Sequence, residues 1–121
     1  MTETRNSTRY DLEERTYKFA GRVRTFTHQL PRTMGNSEDG RQLIRSSGSV
    51  GANDIEANES LSKKDFVVRA KIGRKEAKET AYWLRLINAG NDGTVIRERD
   101  ALAREADELV SIFGAIVRKS E

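Results

Sequence analysis

Lys64, Lys71, Lys78 and Arg85 stand seven residues apart, with Lys75 and Tyr82 between them, a spacing suited to contacts with a polyanion. At about 100° per residue these six share one sector of a helix, and Arg74 joins the same basic set. A ribbon of this kind can follow a phosphate backbone, each neutralised phosphate releasing counterions, while Tyr82 offers a ring face to a base. It implies no reading of base edges. The bland alternative is a row of ordinary solvated lysines, some paired with glutamates a turn away. Charge is concentrated here. Residues 61–90 hold eight Lys and Arg against three Asp and Glu, a balance of +5, whereas the formal charge of the whole chain is +3 with a pI near 9.4.

Catalysis lacks its usual equipment. His28 is the single histidine, and no Glu-x-x-His pair or Ser/His/Asp arrangement accompanies it. Cysteine is absent, which removes disulfides, thiolate metal sites and thiol nucleophiles. The carboxylate pairs Glu13/Glu14 and Glu76/Glu79 sit at surface helical spacing and read as solvated. The expectation is therefore no enzyme, no metal and no cofactor. No run reaches the ~18 apolar residues of a spanning helix, and the start MTETRNSTRYDLEE has no apolar leader core, so a cytoplasmic protein with no membrane partner is expected.

The elements that must carry the ribbon are helices. With 121 residues, 34% charged and one proline, the composition suits one all-α domain with wide solvated faces. Residues 1–9 read as a flexible polar arm, leaving 10–121 for a single four-helix domain. Leu12, Phe19, Val23, Phe26 and Leu30 form the first apolar stripe, which Pro31 ends. Segment 32–40 is rich in turn formers, and Ser37 is the expected cap of the next helix. The run RSSGSVGAN looks like a loop, but Ile44, Gly48, Gly51 and Ile55 fall at spacings of four, three and four, which predicts a helix approached closely by a neighbour. Ser62 with Asp65 predicts the cap of the third helix, whose core side is Phe66, Ala70, Gly73, Ala77, Ala81 and Leu84. NAGNDG stops it. The fourth helix carries Val95, Leu102, Leu109, Ile112, Phe113 and Ile116, with densely alternating charges in its first half that predict i to i+4 pairs.

Val68, Ile72, Trp83 and Leu86 centre more than about 90° from the core side of the third helix, too far for one bundle core to shelter. They are the expected subunit interface, with Trp83 its anchor. Arg45, Asn53 and Glu56 on the second helix are expected to form a polar network with the third helix or an adjacent subunit.

With these residues in hand, RSSGSVGANDIEA followed by SKKDF and KEAKETAYWLRLI resembles the four-helix bundle family that includes proteins encoded by intervening sequences in bacterial large-subunit ribosomal RNA genes. The YDLEE start, Pro31, Arg45, Asn53, Glu56 and Phe66 carry the likeness over most of the chain. The resemblance implies an antiparallel up-and-down bundle, assembly through its sides as a ring-like homo-oligomer, commonly a pentamer, and nucleic-acid binding; no catalytic residues come with it. Family members are also similar to accessory proteins of diversity-generating retroelements, which partner a reverse transcriptase, and no residue selects that branch here. Where many relatives have a SIPANI-like run, this chain has SVGANDI, with Gly51 in place of proline and Asp54 inserted before the isoleucine. Two functions are thus expected in competition. One is a homo-oligomer binding RNA or DNA through the third helix. The other is a protein-interaction scaffold whose basic side serves solubility.

Overall fold

The computed structural model describes residues 2–121, with side chains from residue 11 onward. The chain forms four helices, α1 (Thr2–His28), α2 (Met34–Asn58), α3 (Lys63–Leu86) and α4 (Gly93–Ser120), and no strand occurs among the described residues. The backbone of α1 is helical from Thr2, earlier than the start near Tyr10 that the apolar stripe marks. The side chains of the expected arm, residues 1–9, lie outside the described part. No helix among the described residues is long and apolar enough to cross a membrane.

Each helix is placed by its apolar stripe. Phe19, Val23 and Phe26 of α1 are fully buried against Leu43 and Val50 of α2, Ala77 and Leu84 of α3, and Leu102, Ala106, Leu109 and Phe113 of α4. Burying a side chain of this size stabilises by roughly 1.5–3 kcal/mol, so this cluster dominates the energetics. The helix stops lie where the sequence puts them. After His28 the N–H groups of Gln29 and Leu30 turn back to Phe26 O and Thr27 O at 3.0 and 3.4 Å, and Pro31 has no N–H to continue with. Gly90 adopts φ +75°, a conformation that ends a helical path and disfavours other residues.

The cap of α2 differs from expectation. Thr33, not Ser37, is the N-cap; its side chain accepts from the Asn36 N–H at 3.0 Å. Ser37 lies inside the first turn, its own N–H bonded to Thr33 O at 3.0 Å. Turn-forming residues are held helical here by packing: Asn36 and Gly40 are buried, and the Asn36 side chain bridges two loops. Its amide donates to Pro31 O and Asn88 O at 3.0 and 2.9 Å while accepting from Asn88 N–H. The predicted Ser62 cap of α3 is present, accepting from Asp65 N–H at 3.1 Å.

The small residues of α2 do bring a helix close. A Cβ on Gly51 would stand 2.9 Å from Thr16 Oγ1 of α1, a distance that real Cβ atoms do not tolerate. On α3, a Cβ on Gly73 would meet the Phe113 ring of α4 at 3.0 Å. Small residues thus let α1 approach α2 and α4 approach α3. The alternating charges of α4 behave differently from the expected i to i+4 pairing. Glu98 and Glu105 reach across to Arg22 and Arg15 of α1, at 2.9 and 2.7 Å, because α1 presents arginines at the matching height.

Candidate nucleic-acid interface

α3 is packed on two sides, against α2 and against α4. Its buried residues Ala70, Gly73, Glu76, Ala77, Thr80 and Leu84 define the inward direction, which includes most of the core side that the spacing predicts. Phe66 and Ala81 are only half buried. The outer side carries Lys64, Lys71, Lys75, Lys78, Tyr82 and Arg85, and Arg74 lies at its α4 edge, close to Gly114; all seven are exposed. Lys71 Nζ pairs with Glu121 at 3.3 Å; among the described residues no ion pair engages the other cations of the ribbon. The glutamates of α3 stand to one side of the ribbon: Glu79 is half exposed, while Glu76, expected to be solvated, is buried and feels the charge of Lys75. Glu76 and Glu79 lie on the α2 side, where Arg45 bridges them at 3.7 and 3.3 Å. Burial pushes the Glu76 carboxyl upward, neighbouring Glu79 adds to the shift, and Arg45 opposes it.

Tyr82 is 53% exposed, at the border of the basic residues, and its ring meets Trp83 edge to face with centroids 5.1 Å apart and planes at 77°. That geometry suits the quadrupoles of the two rings and orients Tyr82 relative to the helix.

The expected interface residues divide. Val68 and Leu86 are 48% and 51% exposed, large apolar side chains that this protomer leaves in water. Ile72 is half buried. Trp83 turns further inward than expected: it packs on the core cluster, and its indole N–H is buried without a hydrogen-bond partner. The core side of α3 is largely alanine and glycine, so a large ring from the shoulder can reach the apolar cluster. The expected polar network also separates. Arg45 contacts Gln42, Glu76 and Glu79, whereas Asn53 donates to Ser49 O at 2.8 Å and accepts from Arg69 at 3.5 Å. Glu56 is exposed, and among the described residues its side chain joins neither group.

Several polar residues at the helix contacts escape the sequence reading. Thr80 Oγ1 meets Ser46 Oγ at 2.8 Å, a fully buried hydroxyl pair between α2 and α3. Asp54 is buried with one carboxylate oxygen unpartnered. Burial, reinforced by nearby Glu13, pushes its pKa up to about 7. A signal for it exists: Asn36, Gly40, Leu43, Ser47, Val50, Asp54 and Ala57 are all buried, at alternating spacings of four and three. That register differs from the Ile44/Gly48/Gly51/Ile55 row, which faces the α1 side, and it would have marked Asp54 as a core position.

An open groove of about 530 Å³ runs between α1 and α2, floored by Gly48, Gly51 and Ala20. Its charged residues Glu13, Lys18 and Arg24 are strung along α1 rather than gathered on one point, which gives no arrangement for acid and base chemistry. No group of three or more metal-ligating side chains occurs among the described residues.

A family described as 23S rRNA-intervening sequence protein matches residues 9–114. Among solved structures, the chain is similar to a protein of unknown function of the S23 ribosomal protein family from Bacteroides thetaiotaomicron. The two share 25% identity with a TM-score of 0.71, over 91% of this chain and 97% of that one. No curated protein matches the chain.

Proposed function

The chain belongs to the family of 23S rRNA-intervening sequence proteins, and from that premise we propose a non-catalytic, homo-oligomeric helical bundle that binds RNA or DNA through α3. The topology proposed is antiparallel and up-and-down. In support, Arg15 and Arg22 of α1 meet Glu105 and Glu98 of α4 in reversed order, and Ser46 and Asn53 of α2 likewise meet Thr80 and Arg69 of α3. The observation that carries the binding reading is the ribbon itself: six cations on the side of α3 facing away from the core, one of them ion-paired among the described residues.

Oligomerisation, as the pentamer that the resemblance implies, multiplies these weak phosphate contacts through effective concentration. Its support is the exposed pair Val68 and Leu86 beside the ribbon. The double change Val68→Glu with Leu86→Glu touches exposed positions, so the fold is expected to survive while sedimentation shows smaller particles; unchanged particles would remove this face from the interface.

Binding is tested by titrating RNA and DNA against salt. Each phosphate contact contributes a slope of roughly 0.7–0.9 in log K against log salt, so changing Lys71, Lys75 and Lys78 to Gln is expected to flatten the slope by about two. Absence of binding at low ionic strength would overturn the reading and leave the scaffold function in its place.

A further inference from the structure

We propose that the α3 surface selects single-stranded over duplex nucleic acid, with Tyr82 as the platform on which one unpaired base stacks and Trp83 as the residue that positions it. The inference rests on the nucleic-acid reading above and names the class of ligand for the same face.

Three observations converge on it. The first is shape. α3 is flanked by α2 on one side and α4 on the other, so it shows a shallow convex surface instead of a free helix. Reading a duplex through the major groove requires a helix to enter a channel about 12 Å wide and 8.5 Å deep, and α3, packed against both α2 and α4, has only its outer side to offer. That side is lined with long cations, which suits phosphate contact better than readout of base edges.

The second is the aromatic ring. Tyr82 is more than half exposed, although burial of a tyrosine ring is normally favourable, and it stands at the border of the ribbon, with Lys78 and Arg85 on one flank and Glu79 and the exposed Leu86 on the other. Lys78 precedes it by four residues and Arg85 follows it by three, one turn away on either side. This alternation of cation, ring and cation is what a single strand requires: phosphates to the sides and a base over the ring. Bases in a duplex are already stacked on one another and offer no face to a ring at the surface.

The third is preorganisation. Trp83 packs on the buried core and meets the Tyr82 ring edge to face at 5.1 Å and 77°. The tyrosine is thus held from behind by a side chain that the core holds in turn. A platform fixed before binding loses less rotamer freedom on binding, which favours stacking. Trp83 acts here as a positioning residue and touches no ligand.

The test uses the full-length oligomer and a fluorescein-labelled, non-self-complementary RNA of about 20 nucleotides, a length of the order of single-strand sites, compared with the same strand annealed to its complement. The single strand is expected to bind at least about fivefold more tightly. Tyr82→Ala is expected to weaken single-strand binding about 5- to 150-fold, the range for losing one stacked base, and to leave duplex binding within about twofold. Tyr82→Phe keeps the ring and is expected to restore affinity. Trp83 is the only tryptophan, so its emission is expected to change when unlabelled single strand binds, and to change much less with duplex. Equal affinity for the two forms, or a Tyr82→Ala variant that binds single strand as the parent does, would overturn the stacking platform while leaving the phosphate ribbon in place. Failure of both forms to bind at low salt would overturn the ribbon as well.

Discussion

The contact between α2 and α3 and the contact between α1 and α4 hold one bundle by opposite means. Between α2 and α3 the backbones lie close, and the Ser46–Thr80 hydroxyl pair is fully buried in the seam. Between α1 and α4 the packing is much sparser. There Arg15 reaches Glu105 at 2.7 Å and Glu108 at 2.6 Å, and Arg22 reaches Glu98, with an open groove of about 430 Å³ between the two arginines and another of about 370 Å³ beyond Arg15. Close apolar packing is short-ranged and insensitive to salt, whereas ion pairs act across a gap and are screened. The difference teaches which helix is the foundation. α3 is clamped on both sides and carries the ribbon; α1 is fastened on one side by small residues and on the other by charge. Native-state amide exchange should follow that division, with α3 amides among the last to exchange and the α4-facing turns of α1 among the first.

The largest effect is expected at the clamp on the other side of α3. Phe113 sits with its ring over Gly73, where no side chain intervenes, and it is 1% exposed. Phe113→Ala removes the ring and leaves a cavity, a change that costs about 3–5 kcal/mol in comparable cores. Urea denaturation should show the loss as a lower midpoint; a loss below about 1 kcal/mol would mean that α4 collapses onto α3 and that this contact is not rigid.

Asp54 is next, and its sign is the reverse. Its pKa rises on folding from 3.8 to about 7, so the folded state holds its proton more tightly than the unfolded chain does. Its favourable contribution is complete below pH 3.8, declines as pH rises, and is gone above about 7. Asp54→Asn keeps the shape and removes the titration. At pH 8 it should stabilise the protein by about 2 kcal/mol, less than the full shift because some solvent screening persists. Thermal melts across pH 4–8 should also become flatter for the variant; an unchanged profile would mean that water or a neighbour solvates the carboxylate.

How much of this was legible in the sequence follows the same division. The stripes of α1 and α4 could be read because their core positions are Phe, Val, Leu and Ile at helical spacing, and Pro31 and Gly90 mark stops by covalent geometry. The ribbon could be read because charge on a surface obeys the same period. The core row of α2 could be read only in part: its register runs through Leu43, Val50 and Ala57, but hydrophobicity is not what places Asn36, Ser47 and Asp54 inside. Their burial follows from the close approach that Gly51 and Ser46 permit, and from hydrogen bonds to residues that are distant in sequence, such as Asn36 to Asn88. The same limit misplaced the cap at Ser37 and grouped Glu56 with Arg45 and Asn53. A helical wheel shows which residues share a side of one helix, but not which neighbour that side meets. The pairing of α4 glutamates with α1 arginines is another such case, since local spacing favours i to i+4 partners until a second helix supplies better ones.

The smallest effect separates the two seams most directly. In the folded state Arg15 donates two hydrogen bonds to Glu105 and one to Glu108, and these hold the Glu105 carboxyl below its usual range, the hydrogen bonds outweighing the effect of burial. The pair is only partly buried, so Arg15→Met should cost about 1 kcal/mol or less, near the upper end for exposed pairs because the geometry is bidentate. Two dependences should go with it. The cost should shrink in high salt, which screens the parent's ion pair. It should also fade as pH falls, because a carboxylate with a depressed folded pKa contributes stability above its unfolded value near 4.5 and loses that contribution on protonation. Between pH 7 and 4 the α1–α4 seam therefore begins to weaken while the Asp54 penalty is relieved, two opposing slopes within one bundle. The Arg15→Met and Asp54→Asn variants, melted over the same pH series, should each remove one slope and leave the other. If both variants lost the same slope, the seam and the buried carboxyl would be a single coupled network, and the contrast between a packed side and an ionic side of the molecule would fail.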